Sequence, residues 1–124
     1  RDNGGWVTRG VGAMIDWKRV EDLREEIGAD GFAEVADMFL EEADEAVRAL
    51  VCGIAADAVE DQLHFLKGSA LNLGLAELAA LCQEGERRAA TGQAASVDMA
   101  RVESVYRLSR AQLLEGLVRS GHAA

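Results

Sequence analysis

Residues 57–74 read DAVEDQLHFLKGSALNLG, and the spacing of their apolar positions decides the fold. Val59, Leu63, Leu66, Ala70 and Leu73 recur at intervals of three and four, the repeat that lines side chains along one face of an α-helix. A half-buried strand needs strict alternation, which this stretch lacks. Asp57 and Glu60 have the Asp-x-x-Glu spacing of a capping box that opens the helix, and Gly74 closes it.

The same period extends to both sides. Towards the N-terminus, Phe32, Val35, Ala36, Phe39, Ala43, Ala46, Val47 and Leu50 form a longer stripe, with Asp30 placed to cap it and Gly53 to end it. Glu34, Glu41, Glu42 and Glu45 lie on its other faces. Before it, Asp16 is a good N-cap for a short helix that turns Trp17, Val20, Leu23 and Ile27 inward and stops at Gly28. Towards the C-terminus, Leu75, Leu78, Ala79 and Cys82 point inward in a segment that runs to Ala90, before Thr91 and Gly92 close it. Ser96 can then cap a last helix in which Met99, Val102, Tyr106, Ser109, Leu113 and Gly116 or Leu117 share a face.

Amphipathic helices on short connections bury their stripes only against one another. The expected fold is all-α: an antiparallel up-down-up-down four-helix bundle with a short N-terminal cap helix, spanning residues 15–118. Residues 1–14, glycine-rich and unperiodic, read as a flexible arm, a processed end or non-native residues, and 119–124 as a frayed tail.

Composition agrees. The chain has 124 residues, 49% of them apolar and 28% charged, enough for one core and far from the balance of a disordered chain. It contains no proline and few aromatics. A net charge of −9 with the basic residues scattered among acids disfavours nucleic acid and favours a protein partner or a small anionic group. No stretch approaches the roughly 20 apolar residues of a membrane span, and no signal-peptide pattern opens the chain, so a cytoplasmic protein is expected. Cys52 and Cys82 sit singly in apolar surroundings and read as buried thiols; no metal site is implied.

Chemistry concentrates at His64. It follows core position Leu63, and a rotation of about 100° per residue carries it to the edge of the solvent face. Lys67 and Gly68, at i+3 and i+4, share that surface. An imidazole with a pKa near ~6.5 is largely unprotonated around neutral pH and can attack phosphorus, and a lysine one turn away can offset the charge of the phosphoryl oxygens. Glycine inside an exposed helix costs about 1 kcal/mol relative to alanine, so Gly68 needs a reason. Close approach of a partner's loop is one, and close packing of a neighbouring helix is the other. Glu60 and Asp61, one turn before His64, read as solvated or capping residues, with a supporting hydrogen bond to the imidazole as the alternative. His122, near the end of the chain, offers no rival chemistry.

The run from His64 to Gly74 closely resembles the signature of histidine-containing phosphotransfer (HPt) domains: His-x-x-Lys-Gly, small residues, then Leu-Gly. The resemblance extends to Ile15, Asp16, Leu23 and Gly28 before it and to Leu78, Ala79, Leu81, Cys82 and Glu86 after it, covering about residues 15–118. Two positions depart from the pattern: Gly85 replaces a larger apolar residue, and Leu75 follows Gly74 where alanine is frequent.

The resemblance implies that His64 is phosphorylated, that Lys67 is the phosphate-side cation, and that Gly68 gives a receiver domain access, with Ser69 assisting by hydrogen bonding. Leu71 and the exposed side of Phe65 are the further partner-binding candidates, with ordinary core packing as the competing reading of each. Partners would be response-regulator receiver domains and a hybrid histidine kinase. The chain would act as a monomeric phosphocarrier that binds no cofactor, while the receiver brings Mg²⁺, the acceptor aspartate and a lysine of its own. The sequence has no phosphate-binding glycine loop, so neither ATP binding nor autophosphorylation is expected. A bundle that serves as an unphosphorylated scaffold, and a fragment of a hybrid sensor kinase, are the alternatives.

Overall fold

A computed structural model describes residues 14–119. The described residues form four helices: α1 (Trp17–Cys52), α2 (Ala56–Leu73), α3 (Ala76–Ala90) and α4 (Met99–Arg119), with a 3₁₀ turn at Ala94–Ser96 before the last. The protein is a helical bundle, and no strand occurs among the described residues. Helix α2 packs on α1 and α3, and α4 closes the ring against both α1 and α3. The α2–α3 interface is the most extensive. Positions 1–13 of the expected arm and 120–124 of the expected tail lie outside the described residues.

The two expected N-terminal helices both form, with the break between them where it was read, and they are numbered together as α1. Asp16 caps the first, its carboxylate accepting from Arg19 N at 3.2 Å, and the second runs to Cys52. The break is Gly28, whose φ of 81° and ψ of 159° are open to glycine and strained for other residues. Asp30, expected as a cap, lies within the resumed helix. Val20, Leu23, Phe32, Ala36, Ala43, Ala46, Val47 and Leu50 are buried, as is Leu40, which the sequence pattern did not single out. Trp17 and Ile27, expected inward, are each 39% exposed. The indole of Trp17 lies over Gly116 of α4, where an added Cβ would collide with the ring.

All five stripe positions of α2 are buried. Its start differs from expectation: Ala55 is the N-cap with no side-chain cap bond, so the capping box does not form. Asp57 instead places its charge in the first turn, where the helix dipole favours it. Similarly, Asp98 rather than Ser96 caps α4, accepting from Arg101 N at 3.0 Å, because Ser96 belongs to the 3₁₀ turn. Val102, Tyr106, Ser109 and Leu113 face inward as read, joined by Val105. The Tyr106 hydroxyl meets the Leu40 carbonyl at 3.2 Å and the Asp44 carboxylate, tying α4 to α1; burial, then the bond and charge of Asp44, push the phenol well above its usual range.

The α2–α3 turn is the fixed point of the bundle. Gly74 adopts φ 78°, and a Cβ there would come 2.8 Å from the Asp16 carbonyl oxygen. That approach lets Asp16 N donate to Gly74 O at 2.7 Å and Ala76 N donate to Met14 O at 2.9 Å, with an isolated antiparallel bridge between Ile15 and Leu75. Leu75, one of the two departures, is wholly buried under this clasp. Met14, read as part of the arm, packs against the core.

Candidate functional site

Leu63 and Leu66 anchor α2 with no exposed surface, which leaves the intervening residues facing outward. The His64 side chain is 71% exposed. Across the α2–α3 interface its Nδ1 lies 2.9 Å from Oε1 of Glu86. The other oxygen, Oε2, is 2.8 Å from Lys67 Nζ, and the same ammonium donates to Gln83 Oε1 at 3.1 Å. Glu86 and Lys67 are largely shielded, with side-chain exposures of 15% and 19%. One carboxylate therefore holds both the imidazole and the lysine.

A carboxylate only accepts hydrogen bonds, so the contact requires a proton on Nδ1 of His64. In the neutral ring the lone pair then resides on Nε2. Burial alone would raise the Glu86 pKa, but hydrogen bonds from Lys67 and His64, with their charges, outweigh it and hold the carboxyl below its ordinary value. The acceptor stays ionised at neutral pH. Beneath it Cys82 is fully buried, its thiol pushed up to about 12 by burial and then by the Glu86 charge, with Lys67 partly countering. Cys82 is thus a neutral core group. Cys52, also read as buried, is exposed at the end of α1.

Gly68 has open space around it: an added Cβ would meet no atom within 4 Å. Packing within the described structure therefore gives no reason for this glycine. Phe65 and Leu71 are 45% and 56% exposed, so neither is a core residue. Ser69 is the correction in this group. It is only 4% exposed and faces the core, so it is not on the surface around His64.

A family model described as "Hpt domain" matches residues 34–121, well over half of the chain. The chain belongs to the Hpt domain family. Neither the curated proteins nor the solved structures gave a match. Hpt domains are phosphocarrier modules of two-component phosphorelay signalling, and they work with response-regulator receiver domains and histidine kinases. Among the described residues no helix is long and apolar enough to cross a membrane, and no cluster of His, Cys, Asp and Glu is placed to hold a metal ion.

The site of this Hpt domain contains two residues that spacing around His64 did not reveal, Glu86 and Gln83. The sequence resemblance included Glu86 without a role. Its position carried a usable signal: Glu86 follows core residue Cys82 by one turn, so it continues the inward face of α3 as an acid where the pattern asks for an apolar residue. Gly85, the other departure, lets α3 approach α2 here. A Cβ there would stand 2.8 Å from Leu63 Cδ1, so the missing side chain makes room for the leucine next to the histidine.

Proposed function

We propose that His64 is the phosphoacceptor of a phosphorelay carrier, taking a phosphoryl group from the aspartate of one receiver domain or a hybrid kinase and passing it to the aspartate of another. The observation that carries this reading is the hydrogen bond of His64 Nδ1 to Glu86, which leaves Nε2 as the basic nitrogen of an exposed ring. In the accepting step, the Nε2 lone pair forms a bond to phosphorus. The bond from phosphorus to the aspartyl oxygen breaks, and its electron pair returns to that carboxylate. The ring keeps its Nδ1 proton and becomes cationic, and the Glu86 carboxylate stabilises that charge. Delivery reverses each movement: the P–N pair returns to Nε2, and a neutral imidazole leaves.

Lys67 lies one turn from His64 with its ammonium already held by Glu86 and Gln83, so it contributes a positioned charge at low reorganisation cost. Gly68 leaves backbone bare for the approaching receiver loop. Phosphoryl transfer depends mainly on positioning and on neutralising the equatorial oxygens. The receiver is expected to supply Mg²⁺ for the latter, and this chain is read as a monomeric cytoplasmic carrier without ATP-binding or autokinase machinery. The antiparallel up-down-up-down order of the bundle, with the stretch before Gly28 as its N-terminal cap, is supported by the short connections and by the closed sequence of helix pairings.

Incubation with a phosphorylated receiver tests the proposal. The protein should acquire acid-labile, alkali-stable phosphate, and His64→Gln should abolish it. Label retained in that variant would assign the phosphate to another residue.

A further inference from the structure

Beside His64 a groove of about 650 Å³ runs between α1 and α2. Gln62 and Phe65 form its α2 wall, Ala46 and Ala49 line it from α1, and Glu42 and Glu45 complete the α1 side. These α1 positions are spaced three and four apart, so they share one helical face. Ala46 is buried and Ala49 partly so, which leaves the Phe65 ring standing 45% exposed beside two small side chains. Glu42 and Glu45 are exposed and enter no ion pair among the described residues. Glu41 extends the acidic edge into the adjoining cleft, and Arg48 is the one cation lining the groove.

Phe65 is the next residue on α2, about 100° round the helix from His64, and an interface of about 800 Å² per partner centred on the histidine is wide enough to reach it. We propose that this groove receives a lysine or arginine side chain from the docking face of the receiver and so selects receivers by charge. Small alanines and an aromatic face suit a long aliphatic stem, the ring face attracts a cation, and the free carboxylates receive the charged head. A net charge of −9 favours the same sign of partner at longer range. The inference rests on the phosphocarrier function proposed above, since it takes a receiver as the occupant.

The test combines binding with transfer, using the receiver domains encoded alongside this chain. Titration calorimetry without phosphate measures docking, and transfer at varied receiver concentration separates half-saturation from limiting rate. Glu42→Lys with Glu45→Lys should weaken docking and raise half-saturation about tenfold or more, with the loss greatest at low salt. Glu25→Lys with Glu26→Lys, an equal change of charge on an exposed part of α1 away from the groove, is the control and should shift both quantities only by the smaller long-range effect of net charge, well short of the groove variant. Equal affinity of the groove variant and wild type overturns the inference, as does an equal loss in both charge-reversed proteins. Groove-dependent docking with no label on His64 would uphold the groove and refute the phosphocarrier reading. Absence of docking by every receiver refutes both.

Discussion

Glu86 Oε1 lies 2.9 Å from His64 Nδ1, and this contact between α3 and α2 sets which ring nitrogen carries the proton in the neutral imidazole. Partners that orient metal-bound imidazoles matter by about 10–100-fold, and Glu86 orients the ring of His64 in the same way. Glu86→Ala should slow phosphotransfer to His64 by about that factor, because both tautomers and several ring orientations become accessible. Glu86→Gln keeps an acceptor oxygen and should lose less. Single-turnover transfer at saturating receiver distinguishes them, and equal rates in both variants and wild type would remove Glu86 from the mechanism.

The same carboxylate gives stability a defined pH dependence. Its folded pKa is lowered from 4.5: burial opposes the ionised form, but the bonds and charges of Lys67 and His64 prevail. Folding therefore favours the ionised group, so its stabilisation is fully present above about pH 4.5 and is lost as pH falls through the lower folded value. Denaturant unfolding from neutral to acid pH should show Glu86→Gln less stable than wild type at neutrality, with the two converging on the acid side. A difference that stays constant through acid would contradict this account.

The stripes of α2, α3 and α4 were legible in the sequence because burial of one helix face imposes a period that survives without any alignment. Leu63, Leu66 and Leu73 are buried where the repeat places them. Helix starts were less legible. Asp57 and Ser96 have the chemistry of caps, yet Ala55 and Asp98 occupy those positions, since the chain path set by neighbouring turns selects among nearby polar residues. His64, Lys67 and Gly68 could be grouped from local spacing. Glu86 and Gln83 could not, because their contact with α2 exists only once α3 packs against it. Ser69 shows the opposite failure: small and polar beside the site, it turns inward with the core.

Gly85 should resist enlargement despite its helical setting. Leu63 is fully buried, and its Cδ1 at 2.8 Å and Val97 Cγ1 at 3.4 Å from an added Cβ would both have to shift for a larger side chain. Gly85→Leu restores the larger apolar residue commoner in the family pattern, yet should destabilise this bundle by about 1–3 kcal/mol through overpacking. Urea denaturation measures it. Unchanged or increased stability would mean that the α2–α3 spacing adjusts freely.

Gly68 makes the opposite prediction for stability, and it separates folding from function at a single position. An added Cβ meets nothing within 4 Å, so no packing penalty attends Gly68→Ala. Alanine is favoured over glycine in a helix interior by up to about 1 kcal/mol, and the variant should be more stable by a similar amount. If the bare backbone serves the receiver's approach to His64, the same methyl group should slow transfer, chiefly by raising the receiver concentration needed for half-saturation. Thermal unfolding and transfer kinetics on the one variant decide between the reasons for glycine: a gain in stability with impaired transfer identifies the partner's approach as the constraint. A loss of stability would identify a constraint within the fold.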